Sequence, residues 1–181
     1  MKKTMFVLLA ALMLVGLTGC GSHVKYDGSG YFTSADESFQ IEYNENFKQQ
    51  KKTPENYMTL EWKKQEISFQ IARQSKDLEV ITSNYVVTLD GFISLYRERA
   101  LSFLEPTSEF GELKDAEGFD QFTNARIQNV TTTERNDIVE SFLIYGETDT
   151  DYYVIYAVGD DMSFLAHYDE LYQYAQTLKP Q

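Results

Sequence analysis

Side chains able to do covalent chemistry are scarce in this sequence, so their types and spacing are the first constraint. Among 181 residues there is one cysteine, Cys20, and there are two histidines, His23 and His167. A thiolate serves as nucleophile or metal ligand. With no second cysteine, an intramolecular disulfide and a Cys-based zinc site are both excluded. The two histidines are 144 residues apart and share no element, and a Ser-His-acid triad would have to be built on His167. No Gly-x-Ser-x-Gly elbow accompanies a serine, and no glycine run has phosphate-loop spacing. His167 reads as a surface histidine at the edge of an apolar stripe.

Carboxylates are plentiful. Glu140 alternates with Ile138, Phe142 and Ile144, and a Glu buried among aromatics has a raised pKa and can act as a general acid. The plainer reading, which we prefer, is that Glu140 lies where the sheet frays or pairs with Arg126 or Arg135. Glu147, Asp149 and Asp151 place three acids at alternate positions of a turn, a donor set suited to hard cations. They lack the loop length and closing Glu of an EF-hand, and solvated turn acids are the preferred reading. Neither set points to an enzyme, and no catalytic residue, metal ligand or cofactor is assigned.

Cys20 is different because of what precedes it. Lys2 and Lys3 form a basic start, Met5 to Val15 is an apolar run, and Leu17-Thr18-Gly19 lead into the cysteine. This is a secretory leader, shorter than the roughly twenty apolar residues of a spanning helix. The tetrapeptide resembles the lipobox of bacterial lipoproteins. That resemblance implies cleavage before Cys20, a diacylglyceryl group on its thiol, and stable attachment through more than one acyl chain. It implies an extracytoplasmic location on the face of the cell membrane, at a Gram-positive surface or in a Gram-negative envelope. Gly21 follows the cysteine, so the Asp of the inner-membrane retention signal is absent.

Residues 20–181 would carry a net charge of −14, since the leader holds two of the sixteen basic residues and none of the acids. So acidic a chain is unsuited to general nucleic-acid binding. Thirteen Tyr and twelve Phe supply enough aromatic surface for a core, which argues against disorder. One stretch runs against the overall charge: residues 48–76 contain seven basic and three acidic residues. Lys48, Lys51 and Lys52 fall in an expected loop and are the candidate contacts to an anionic envelope polymer or lipid headgroup. Solvated lysines are the preferred reading.

The elements that must position these groups follow from hydrophobic period. Residues 20–37, with Gly28-Ser29-Gly30, read as a flexible tether, although Tyr31-Phe32 can already touch the fold. Phe39, Ile41 and Tyr43 alternate, then Met58, Leu60 and Trp62 against Thr59 and Glu61, then Ile67, Phe69 and Ile71 against Ser68 and Gln70. These predict an antiparallel meander with one wet face. Leu89, Phe92, Ile93, Tyr96, Ala100, Phe103 and Leu104 fall on one helical face, capped by Thr88 and stopped by Pro106. Residues 105–121 read as an exposed acidic loop or irregular strand. Residues 142–145 and 152–158 are apolar on both faces and belong in a covered sheet centre. Residues 146–151 form the hairpin tip between them. A closing helix carries Phe164, Tyr168, Leu171, Ala175 and Leu178 and ends at Pro180.

This order, from about Ser38 to Pro180, resembles the PsbP-like family, which includes an extrinsic photosystem II subunit, a Ran-binding import factor and small bacterial lipoproteins. The resemblance rests on 39–43 leading into Asn44–Phe47, and on 152–156 leading into Phe164, Tyr168 and 177–179. Asn44 and Phe47 stand where the family often has Pro and Trp. It implies an α+β fold, an antiparallel sheet of about six strands flanked by helices as an α/β/α sandwich. The organisation expected is a leader at 1–19, a lipid-anchored tether at 20–37 and one domain at 38–181. The expected function is a non-catalytic interaction or accessory domain of the cell envelope, partnered by the membrane and by an unidentified envelope protein or polymer. The alternative is a small-ligand or metal binder using an aromatic cleft between sheet and helix.

Overall fold

The computed structural model describes residues 30–50, 53–102, 107–134 and 137–181. The expected leader at 1–19, Cys20, Lys51, Lys52, Phe103, Leu104 and Arg135 lie outside the described residues. The centre is an eight-stranded antiparallel sheet: β3 (Phe47–Gln49), β4 (Tyr57–Trp62), β5 (Ile67–Ser75), β10 (Asp151–Asp160), β9 (Asp137–Glu147), β8 (Asn124–Glu134) and β6 (Ser108–Phe110) in that spatial order. β7 (Lys114–Asp115) also pairs with β8. β1 (Tyr31–Thr33), β2 (Phe39–Glu42) and β11 (Lys179–Pro180) form a separate three-stranded sheet. The class is the expected α+β sandwich, with more strands than six. The additional strands are β1, β3, β6, β7 and β11, of two or three residues each, too short for alternation to register in sequence.

The two central strands are the ones that are apolar on both sides. In β10, residues 151–159 are all buried, and the strand sits between β5 and β9. Tyr153, Ile155 and Ala157 join one apolar cluster, and Tyr152, Val154, Tyr156 and Val158 the other. Successive strand side chains point to opposite faces, so a strand with two apolar faces needs a layer on each. One face is covered by α3 (Asp161–Ala166), α4 (Tyr168–Ala175) and the small sheet. The other is covered by α1 (Glu79–Ser83), α2 (Leu89–Tyr96) and a π-helical turn at Arg97–Leu101.

Several expectations need correction. The stretch read as tether already contains β1, whose Phe32 is buried against the core. β2 is a strand but no part of the meander, because its partners are β1 and β11 rather than β3. Lys48 lies in β3 rather than a loop, because Phe47 pairs with Trp62 and carries its neighbours into the sheet edge. The Leu89 helix is capped by Thr88, whose hydroxyl accepts from Gly91 N at 3.1 Å. It turns π-helical after Tyr96, which keeps Ala100 and Leu101 buried. The closing helix is two, broken at His167, whose φ and ψ of −117° and 11° are not helical. Pro180 is the end of β11 and pairs with Phe39; an edge strand tolerates a residue with no N–H.

The strand faces expected to be wet are the largest departure. Thr59, Ser68 and Gln70 are buried, with Gln74, Gln128, Thr132 and Ser141. They share a sheet face with Tyr57, Tyr145, Tyr152 and Tyr156, beneath α1, α2 and the π-helical turn.

Candidate functional site

That covered polar face is the most unusual arrangement among the described residues. Hydrophobic alternation placed Met58, Leu60, Phe69 and Ile71 against α3, α4 and the small sheet, which forced the intervening polar residues toward α2. Some are satisfied there. The Tyr57 hydroxyl donates to Gln70 Oε1, Gln70 Nε2 donates to Ser68 Oγ at 3.2 Å, and Gln128 Nε2 donates to the Gly111 carbonyl at 2.7 Å. The Ser141 hydroxyl donates to the Val130 carbonyl at 3.0 Å. Others are not: the hydroxyls of Tyr96, Tyr145 and Tyr152 and Gln128 Oε1 have no hydrogen-bond partner among the described residues. Most buried polar atoms in proteins are partnered, so several unpartnered ones on one face mark it out.

The rings of this face are closely packed. Phe92 stacks on Tyr152 with centroids 4.5 Å apart, and Tyr96 meets Tyr145 edge-on at 6.0 Å. Burial pushes the Tyr96 hydroxyl far above its ordinary pKa, reinforced by Tyr145, Tyr57 and Tyr156. Burial likewise raises Tyr145, opposed by the positive charge of Arg97. These hydroxyls are therefore neutral donors and acceptors at physiological pH. Arg97 lies at the margin, its guanidinium carbon 4.6 Å from the centre of the Phe110 ring. Sequence reasoning placed Phe92 and Tyr96 on the helical stripe and Tyr145 and Tyr152 in the covered sheet centre but gave none of them a functional role, and it read Ser68 and Gln70 as part of a wet face, since alternation cannot report whether a polar face is covered.

The candidates read from sequence do not assemble into one site. Lys48 is exposed on β3 opposite Glu61, and Lys63 Nζ donates to the Glu45 carbonyl at 2.7 Å. Arg73 lies at the other end of the sheet, paired with Asp36 at 3.1 Å and Asp151 at 2.9 Å. Lys76 pairs with Glu147 at 2.8 Å. The basic excess of residues 48–76 is thus divided between two ends, and part of it is neutralised. Burial raises the Asp36 carboxyl, but hydrogen bonds from Ser38 and Ser34 and the charge of Arg73 outweigh it and leave the pKa below the ordinary value.

The acids of the hairpin tip are not a solvated trio. Lys76 takes Glu147 and Arg73 takes Asp151, leaving Asp149 exposed in the turn. Among the described residues, no three His, Cys, Asp or Glu side chains gather closely enough to hold a metal ion. Glu140 is half-buried and accepts from the Thr131 hydroxyl at 2.9 Å, while Arg126 binds Asp115 and approaches Asp90 at 3.5 Å. His167 is half-buried rather than free at the surface: its ring lies 4.7 Å from that of Trp62, and Nδ1 is 3.2 Å from Glu170 Oε2.

No protein-family model and no curated protein matches the sequence. Solved structures do match the fold. A Bacteroides thetaiotaomicron protein aligns with a TM-score of 0.53 and 10% identity over 84% of this chain, which spans about half (48%) of that protein's length. The Ran-binding protein Mog1p of Saccharomyces cerevisiae aligns with a TM-score of 0.52 and 8% identity, covering 83% of this chain and 94% of Mog1p. The cyanobacterial PsbP of Synechocystis gives 0.52 and 5% identity, over 92% of this chain and 97% of that one. The fold is PsbP-like. At these identities the likeness extends to architecture alone, since one fold hosts unrelated functions. The PsbP-like architecture accounts for the two covered faces of the sheet and assigns no role to the tyrosines between them.

Proposed function

We propose that this protein is a non-catalytic interaction or accessory domain of a bacterial cell envelope, held at the membrane by a lipid on Cys20. The observation that carries the reading is the Leu17-Thr18-Gly19-Cys20 end of a basic and apolar leader, with no other cysteine in the chain. A PsbP-like domain and the lack of any catalytic constellation read from sequence are consistent with it. No helix among the described residues is long and apolar enough to cross a membrane, so attachment is assigned to the acyl chains. Cys20→Ala is expected to abolish incorporation of a fatty-acid analogue and to release or misprocess the protein. Unchanged labelling and membrane fractionation of that variant would overturn the reading.

The unpartnered hydroxyls favour a second reading, a small polar ligand held beneath α2. The ligand class would be neutral or weakly acidic, offering acceptors to Tyr96 and Tyr145 and any negative group to Arg97. On this reading the Tyr96→Phe, Tyr145→Phe double variant is less stable than the parent by denaturant titration, because ligand contacts are lost. A variant more stable by about 1–3 kcal/mol, the cost of burying an unsatisfied polar group, would dispose of the ligand.

A further inference from the structure

One end of the domain gathers exposed apolar side chains and the point from which the chain leads back to Cys20. α3 projects Met162 and Leu165, which are 78% and 62% exposed and one turn apart on the same side of the helix. Beside them Ile138, 45% exposed, lies on the face of β9 that carries Phe142, and Phe142 packs against Phe164 of α3 with ring centroids 5.8 Å apart. The same end contains the β4–β5 turn, where Gln65 accepts from the Ser163 hydroxyl of α3 at 3.3 Å. Lys63 and Lys64 of that turn are exposed.

Gly30, the first described residue, is at this end too. Its carbonyl accepts from Tyr43 N at 2.8 Å, and Glu45, two residues on, accepts through its carbonyl from Lys63 Nζ. Nine residues lie between Cys20 and Gly30, ten steps along the chain and a path of at most about 36 Å. The opposite end, with the 148–150 turn, is about 30 Å away along β10. That end carries the paired acids Asp36, Asp151 and Glu147, and its exposed apolar side chains, Tyr85 and Val87 of the α1–α2 loop, lie away from the end at which the chain enters at Gly30.

We infer that the α3 end is the face the domain turns to the phospholipid surface, with Met162, Leu165 and Ile138 entering the interfacial zone. The inference rests on lipidation of Cys20, as proposed above. A contact this small would be negligible for a free protein. Tethered to the same bilayer it becomes intramolecular, and short linkers give effective concentrations in the millimolar range. Lys48, Lys63 and Lys64 at this end are outnumbered by Glu45, Glu61, Glu66, Asp137, Asp160 and Asp161, so the approach rests on the apolar side chains and the tether rather than on charge. The lysine stems can lie along the apolar contact while their ammonium groups reach phosphates.

The test uses the full chain, processed and acylated in cells and reconstituted into phosphatidylcholine–phosphatidylglycerol vesicles containing a nitroxide-labelled lipid. With the Cys20 thiol consumed, Leu165→Cys and, separately, Asp149→Cys each offer one thiol for an environment-sensitive fluorophore. Both sites are exposed, so labelling leaves the core intact. For a side chain seated about 5–10 Å into the headgroup boundary, quenching at residue 165 should exceed that at 149 by roughly twofold or more. Vesicle-bound protein with both probes unquenched, or both equally quenched, overturns the docking face and leaves the anchor standing. Acylation-dependent binding that never occurs overturns the anchor and this inference with it.

Discussion

Phe142→Ala is expected to lower the free energy of unfolding by about 3–5 kcal/mol, the range for truncating a fully buried Phe. The residue is inaccessible in β9, beside the central strand β10. Its ring meets Phe164 of α3 at 5.8 Å and Tyr168 and Tyr172 of α4 at 5.6 Å and 6.4 Å. Both helices therefore touch this one side chain, while the sheet beneath is held by ladders on both sides of β9. Neither layer can move in to fill the space, so the cavity term adds to the lost burial. Against a stability of 5–15 kcal/mol typical of single domains, this change is severe. Urea titration of parent and variant measures it. A loss under about 1 kcal/mol would mean that α3 and α4 are not seated on β9 in this way. Tyr168→Ala, which the helical stripe alone also singles out, should cost less. Tyr168 is only half-buried and its hydroxyl reaches Asn129 at 3.0 Å near the surface.

Gly146→Ala is expected to destabilise the protein by about 1–3 kcal/mol although it adds a single methyl group. Gly146 sits in β9 between Ala125 of β8 and Tyr153 of β10. The Phe122 ring lies against its backbone, so that an added Cβ would fall 2.6 Å from Phe122 Cζ and closer still to two further ring carbons. The ring cannot swing away freely. It stacks on Phe119 at 6.2 Å, leans on Tyr153 at 5.4 Å and is 8% exposed. The backbone is equally constrained, being paired on both sides. Shortening the opposing side chain in a Gly146→Ala, Phe122→Leu double variant should make the two effects less than additive, a coupling that a double-mutant cycle reads directly. Strict additivity would show that the ring does not rest on this glycine.

Much of the architecture was legible because it depends on local pattern. Seven consecutive apolar residues from Tyr152 to Val158 demand layers on both faces, wherever the partner strands come from. Thr88 before an apolar stripe marks a helix start because its hydroxyl satisfies a donor that the helix leaves free. The proposed leader and lipidation of Cys20 are read from sequence alone for another reason: processing of that kind acts on the chain before any fold exists.

What the tertiary structure decided is pairing and cover. β2 alternates as a strand should, yet nothing near it in sequence indicates that it joins β1 and the distant β11 instead of β3. Arg73 and Asp151 are 78 residues apart and meet only because β5 and β10 are neighbours. Thr59, Ser68 and Gln70 look solvent-facing by alternation, since polarity along a strand distinguishes its two faces and says nothing about what is laid over either. Chain topology brings α1, α2 and the π-helical turn across that polar face, and buries hydroxyls that the sequence alone would have left in water.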